Sequence, residues 1–273
     1  TSVTSSTEAL IRDASVTVPD SLSLLAADRS VVTTVALSGQ AALPERGKKD
    51  KHSLGAGGAL GVGVMVNRVQ GRLENVSVGS PEGMPGGIAI QAANEAVLST
   101  LVLGGQGAFS EKSMAVGGSF AFNTAVQETD ASMAGSTVLA TSGGVHLEAV
   151  DRSVTTAVAG SLQAAGTGAA GAALAVNTIV GAATSRMEQS TVTAGRDVSL
   201  SSGQVSVVAG LAAGAQIAAN KEKSGSLGGS VAVNTLVKTT ESAVLGSSIT
   251  AGSHVDLSAF YSTWGGNLAG AIQ

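Results

Sequence analysis

The sequence predicts an all-β fold, an elongated repeat β-solenoid of the parallel β-helix type, and three observations carry that prediction. A core motif recurs at a fixed period, a short alternating strand recurs in step with it, and the composition is rich in small and β-branched residues while nearly free of aromatic rings. The motif is clearest at residues 228–240 (GGSVAVNTLVKTT), with copies at 171–180 (GAALAVNTIV), 117–126 (GGSFAFNTAV) and, more loosely, 59–69 (ALGVGVMVNRV). Its asparagines, Asn67, Asn123, Asn177 and Asn234, are 56, 54 and 57 residues apart. A period near 56 that holds three times running marks a repeat array and not a set of globules.

The second landmark is IAI at Ile88 to Ile90, VHL at Val145 to Leu147, VSL at Val198 to Leu200 and VDL at Val255 to Leu257. Its spacings of 57, 53 and 57 follow those of the asparagines. A leading copy lacks the anchor motif but keeps LSL at Leu22 to Leu24, and ADRSVVTTVALSGQAA (27–42) is echoed by VDRSVTTAVAGSLQAA (150–165). The chain therefore reads as one array: a leading partial repeat at 1–53, repeats at 54–110, 111–165 and 166–222, and a trailing partial repeat at 223–273.

Composition narrows both fold and function. The 273 residues are 44% hydrophobic but 2% aromatic, with 37 glycines. Thin layers whose backbones approach closely suit such a chain better than a globule built on large rings. A net charge of −4 lacks the basic footprint that nucleic acid or an anionic membrane demands. The absence of cysteine excludes disulfides and thiolate sites within this stretch. Apolar runs are interrupted too often for a spanning helix, so no membrane insertion is expected.

Taken in order, residues 1–42 alternate with period two and read as strands, with Asp28 and Asp151 expected at turns before their strands. Residues 44–52 (PERGKKDKH) form a charged loop whose counterparts lie at 111–113, 166–168 and 220–225. Loop length varies at a constant phase, which places that corner of every repeat in water. On the anchor strand, Val64 and Val66, Phe120 and Phe122, Leu174 and Val176, and Val231 and Val233 share one apolar face. The asparagines share the other with Met65, Ala121, Ala175 and Ala232, so protein contact is expected on both sides. In the VxL strands the flanking residues are expected inside and Ala89, His146, Ser199 and Asp256 outside. Each repeat is expected to hold three strand layers or coils, making a rod on the order of 70 Å. Stacked antiparallel hairpins turning at the charged loops are the alternative winding.

No cofactor, metal or catalytic site is expected. The glycines at 55, 57, 58 and 61 precede a strand pattern, where a phosphate-binding loop would precede a helix. His52, His146 and His254 occupy unrelated phases and do not converge. The nearest acid pair, Glu148 and Asp151, offers a weak basis for a polysaccharide-active β-helix enzyme. The asparagines Asn67, Asn123, Asn177 and Asn234 are assigned instead to a structural ladder in which stacked amides bond one another along the array. Asn75-Val76-Ser77 matches a glycosylation sequon and carries no weight as a single match.

The anchor and the turn-and-strand units STVTAGRDVSLSS and SSITAGSHVDLSA resemble the repeat region of large secreted bacterial filamentous adhesins of the filamentous-haemagglutinin and leukotoxin-like kind, over nearly the whole chain. That resemblance implies a parallel β-solenoid, an extracellular or cell-surface location, and a structural role as stalk, fibre or adhesive filament. Self-association is the expected partnership, lateral or head to tail, with residues 267–273 docking on 1–10 of another copy, and host or neighbouring cell surfaces are further expected partners. No polar cap closes either end, and an export signal is expected outside this stretch. Ice or surface binding through Thr191, Thr193, Ser248 and Thr250 is the alternative from another class, although Thr137 followed by Leu139 interrupts that column.

Overall fold

The computed structural model describes residues 1–43, 52–79, 86–219 and 224–273. Most of the charged loop read at 44–52 and of its counterpart at 220–225 lies outside the described residues. Long alternation without a helix-forming period yields strands throughout, and the described residues contain no helix. The first coil is β1 (Ser2–Arg12), β2 (Ser15–Val16) and β3 (Ser21–Ala42); the second is β4 (Ser53–Glu74), β5 (Ser77–Val78) and β6 (Gly87–Ala108). The third is β7 (Ser113–Ala134), β8 (Thr137–Ala140) and β9 (Val145–Ala165); the fourth is β10 (Gly168–Glu188), β11 (Thr191–Ala194) and β12 (Val198–Ala218). The fifth is β13 (Gly225–Leu245), β14 (Ser248–Ala251) and β15 (Val255–Ile272).

These coils stack into three five-stranded sheets: a front sheet β1-β4-β7-β10-β13, a short corner sheet β2-β5-β8-β11-β14, and a back sheet β3-β6-β9-β12-β15. All pairings are parallel, which settles the winding as a parallel β-solenoid and removes the hairpin alternative. One expectation changes. Each repeat of about 56 residues is a single coil, since its two 21- or 22-residue strands are continuous from the loops to the corner. A strand of that length runs about 70 Å, while five stacked strands rise only about 20 Å, so the long dimension lies across the solenoid axis. The chain is a broad ribbon.

The corner between front and corner sheets is set by backbone conformation. Asp13, Asn75, Gly135, Gln189 and Gly246 all have φ between 45° and 57°, one at each coil. Residues that tolerate the left-handed region, glycine above all, are needed there. The side chain of Asn75 donates from Nδ2 to Asp13 Oδ1 at 3.0 Å. A serine follows the left-handed residue in three coils, and its hydroxyl caps the coil before it: Ser136 Oγ accepts from Val76 N, Ser190 Oγ from Ser136 N, and Ser247 Oγ from Ser190 N.

Inside the coil the packing is layered along the strands. At the corner, where three sheets meet around a triangular section, Leu73, Met133, Met187, Ile88, Leu147 and Leu200 fill a core of large side chains. Toward the loops only front and back sheets face each other, and the interior shrinks to Ala121, Ala157, Ala159, Ala173, Ala175 and Ala212. A smaller cluster with Met65, Leu98 and Ile179 lies between. Polar rows separate these layers.

The anchor strand is corrected in one respect. Its asparagine side faces the interior, as Asn123 and Asn177 are buried, but its Val/Phe side is the outer surface, where the side chains are half-buried or exposed. The VxL strands behave as expected in the inner coils, with Ile88, Ile90, Val145, Leu147, Val198 and Leu200 buried, whereas Val255 and Leu257 on the outermost strand are exposed.

Candidate functional site

Among the described residues, internal polar rows, the two outer faces and the corner sheet are the candidate features. In the first row, Asn123, Asn177 and Asn234 stand in register on β7, β10 and β13. Asn123 Nδ2 donates to Asn177 Oδ1 at 3.0 Å, and Asn177 Nδ2 to Asn234 Oδ1 at 2.9 Å. Each amide also donates across to a back-sheet carbonyl: Thr156 O for Asn123, Ala209 O for Asn177 and Gly266 O for Asn234. The row thus ties coil to coil and sheet to sheet. Asn67 does not join it. β4 is offset by four residues from the motif alignment, so Gly63 stands beside Asn123 and Asn67 beside Gln127. Thr100 Oγ1 donates to Asn123 Oδ1 at 2.5 Å and ends the row, using space that a side chain at Gly63 would fill.

Asn67 belongs to a second cluster. Its Nδ2 donates to Asn94 Oδ1 at 3.1 Å, and Asn94 Nδ2 donates to Asp151 Oδ1 at 2.8 Å. The other oxygen of Asp151 receives Lys238 Nζ at 2.8 Å, and the same ammonium donates to Gln127 Oε1 at 2.9 Å. Lys238 sits on the fifth coil and Asp151 and Gln127 on the third, so the lysine reaches across the fourth. Gly181 is in register with Lys238 and makes that reach possible, because a Cβ there would lie 2.5 Å from Nζ. The pair is buried, with 2% and 0% side-chain exposure. Asp28 and Asp151 are therefore inward residues in the middle of long strands, not turn residues.

The third row is glutamine. Gln40, Gln106, Gln163 and Gln216 are in register on the back sheet, and Gln216 donates to Gln163, which donates to Gln106, each at 3.1 Å. Opposite them the front sheet presents Gly57, Gly117, Gly171 and Gly228; a Cβ would overlap a glutamine amide at the last three and press closely on one at Gly57. Glycine here is a matter of close approach between sheets.

The outer surface divides at the same level on both faces. Near the corner it carries ion pairs that run from coil to coil: Arg12 with Glu74 at 2.6 Å, Arg68 with Glu128 at 3.1 Å, Arg186 with Glu241 at 3.1 Å, and Arg29 with Glu95 at 3.5 Å. Asp130 in this zone has its carboxyl raised above the usual range by burial, opposed by the Ser132 hydroxyl and by Arg72. Asp197 is lowered, chiefly by a hydrogen bond from Ser253 and then by His254, whose Nδ1 is 3.2 Å away. Beyond this zone, toward the loops, the described outward positions of both faces carry no charged side chain. Phe120, Val231 and Val233 project from the front and Val35, Leu103 and Leu211 from the back.

The other residues read from sequence do not assemble a catalytic or metal site. Glu148 faces outward, bonded by Gln91 Nε2 at 3.1 Å, whereas Asp151 faces inward, so the two acids lie on opposite sides of β9. His146 Nδ1 lies 2.6 Å from Ser199 Oγ, His254 stands by Asp197, and His52 is exposed at a loop. Among the described residues no three acids or histidines come together to hold a metal. On the corner sheet, Ser15, Ser77, Thr137, Thr191 and Ser248 form one continuous outward hydroxyl column. The next column, with Leu139, Thr193 and Thr250, is mixed.

Sequence reasoning missed the glutamine row and the Lys238–Asp151 pair. Both were signalled. Glutamine recurs at 163, 216 and 273 with the period, and Lys238 has the same parity as Asn234 on an alternating strand. No family model, no curated protein and no solved structure matches this chain.

Proposed function

We propose that the chain is a structural, non-catalytic segment of a secreted or cell-surface bacterial fibre or adhesin, giving stiffness, multivalent contact and self-association. The observation that supports this reading is the in-register stacking itself: five like coils, of which the second to the fifth are joined by amide rows that run along the axis. A stack of this kind adds further coils by the same backbone and amide bonds that join its own. A strand at the end of such a stack pairs with the next in-register coil, supplied by the same polypeptide or by another copy. The partner is a second copy of this chain, stacked head to tail with heterologous contacts that propagate without closing. Contact with host or neighbouring cells would then come from repetition of weak outer contacts along the stack.

Electron microscopy of the purified chain tests the axial stacking. Filaments about 70 Å wide, with strands across the filament axis, are expected, and Ala269→Pro, which removes a backbone donor on the edge strand β15, is expected to abolish them. Single particles at high concentration would overturn it.

A second reading, ice or surface binding, draws on the hydroxyl column Ser15–Ser77–Thr137–Thr191–Ser248. Strand stacking spaces its members about 4.8 Å apart. Inhibition of ice recrystallisation that disappears in Thr137→Leu/Thr191→Leu would favour it over the fibre.

A further inference from the structure

We infer that the outer face of the back sheet, in its loop-side half, is a docking surface for the same face of a second copy. This deepens the fibre reading above and rests on it for the identity of the partner, but concerns lateral contact, whereas that reading concerns axial contact.

The surface is continuous and uncharged, and most of its outward side chains are apolar. From Val31 to Ala41 on β3, and at the positions in register on the four strands above, no outward residue is charged. Ten residue steps along five strands cover about 33 by 24 Å, or roughly 800 Å². The largest apolar patch on an ordinary monomer is about 300–600 Å², whereas one side of a standard protein interface is about 800 Å². Sheet-on-sheet burial of this face would therefore make a complete interface.

Its relief points to a protein partner with the same repeat. Val31, Val97, Val154, Val207 and Trp264 form one ridge, and Val35, Leu101, Val158, Leu211 and Leu268 form the next. Between them runs a furrow of Thr33, Ser99, Thr156, Ala209 and Gly266. Nearer the loops, Gly39, Gly105 and Gly107 leave a depression beside Phe109 and Leu162. Ridges of one copy fit furrows of another only where both have the same strand spacing, which a second copy supplies. A fluid bilayer requires no relief. The front sheet lacks that furrow, because its bulky rows Leu60–Phe120–Leu174–Val231 and Val62–Phe122–Val176–Val233 stand directly side by side.

The test is the solution mass of the 26.4 kDa chain, in the wild type and in the Ala269→Pro background that blocks axial stacking. Sedimentation should give twice the chain mass in that background. Val154→Lys/Leu211→Lys on the back sheet should halve it, and Val176→Lys/Val233→Lys on the front sheet should leave it unchanged. A monomer in the Ala269→Pro background overturns the inference, as does a dimer that survives the back-sheet pair or is lost with the front-sheet pair. Flotation of a monomeric chain with phosphatidylcholine vesicles, with a blue shift of the single tryptophan Trp264, would also overturn it and assign the face to a bilayer. The two contacts separate in electron micrographs: loss of width with retained length in the back-sheet variant supports the lateral pair. Dimers without filaments in the wild type would sink the axial reading and leave the lateral pair standing.

Discussion

The two halves of each coil solve opposite packing problems. Near the corner, large apolar side chains such as Leu73, Met133, Leu147 and Leu200 fill a triangular interior, and the surface is laced with ion pairs. Toward the loops the sheets close on alanine, glycine and amide rows, and the apolar side chains are on the outside. The same alternating backbone makes both. What differs is the room between sheets: three sheets leave volume for Met and Leu, whereas two sheets held close leave room only for small residues and for amides that bond along the axis. Polarity in a solenoid thus follows the available volume.

The boundary between the halves is where the largest effect is expected. Lys238→Met leaves the Asp151 carboxylate buried without its cation, at a cost of about 3–5 kcal/mol, while Lys238→Met/Asp151→Leu should recover most of that loss. Chemical denaturation of the three proteins decides it. Equal stability of single and double variants would mean that the pair is not desolvated.

Volume changes of opposite sign sharpen the contrast within one strand. Leu147→Ala at the corner should cost about 2–5 kcal/mol through the cavity it opens. Ala159→Leu, twelve residues along β9, should cost about 1–3 kcal/mol through overpacking. A neutral Ala159→Leu in a thermal melt would show that the loop-side sheets are not closely held.

The smallest effect lies on the charged surface of the corner half. The folded pKa of Asp130 is raised, so its contribution is complete below the unfolded value and is lost as pH rises through the folded one. Asp130→Asn should therefore stabilise the fold at neutral pH, by about 0.5 kcal/mol, with the gain disappearing below about pH 3. Melting temperatures of both proteins across pH 2.5–7.5 test the sign.

Much of this architecture was legible because alternation and periodicity are local signals. The motif spacing located the coils, and the VxL strands located the corner core. The number of coils per repeat was not legible from the period, since three strand segments in one coil and three short coils have the same length. The unbroken alternation of β10, 21 residues without a turn, was the discriminating feature. Asn67 was misplaced because VMVN copies VAVN in sequence, while register is decided by what fits beside Thr100 and Asn123, and only glycine does. The Lys238 contact reaches across a whole coil, so strand parity marks the lysine as inward but does not identify its partner. Its trace was a lysine aligned with a glycine and a glutamine.

The single wide coil also bears on how the chain answers force. One coil adds about 4.8 Å of height, yet its 56 residues drawn out span about 190 Å. A load that peels the outermost coil therefore releases some forty times the height it removes, and it opens the parallel ladder progressively from one end of a strand and not all at once. Under tension the stack would behave as a reel of stored length, lengthening coil by coil while the remaining coils keep their shape.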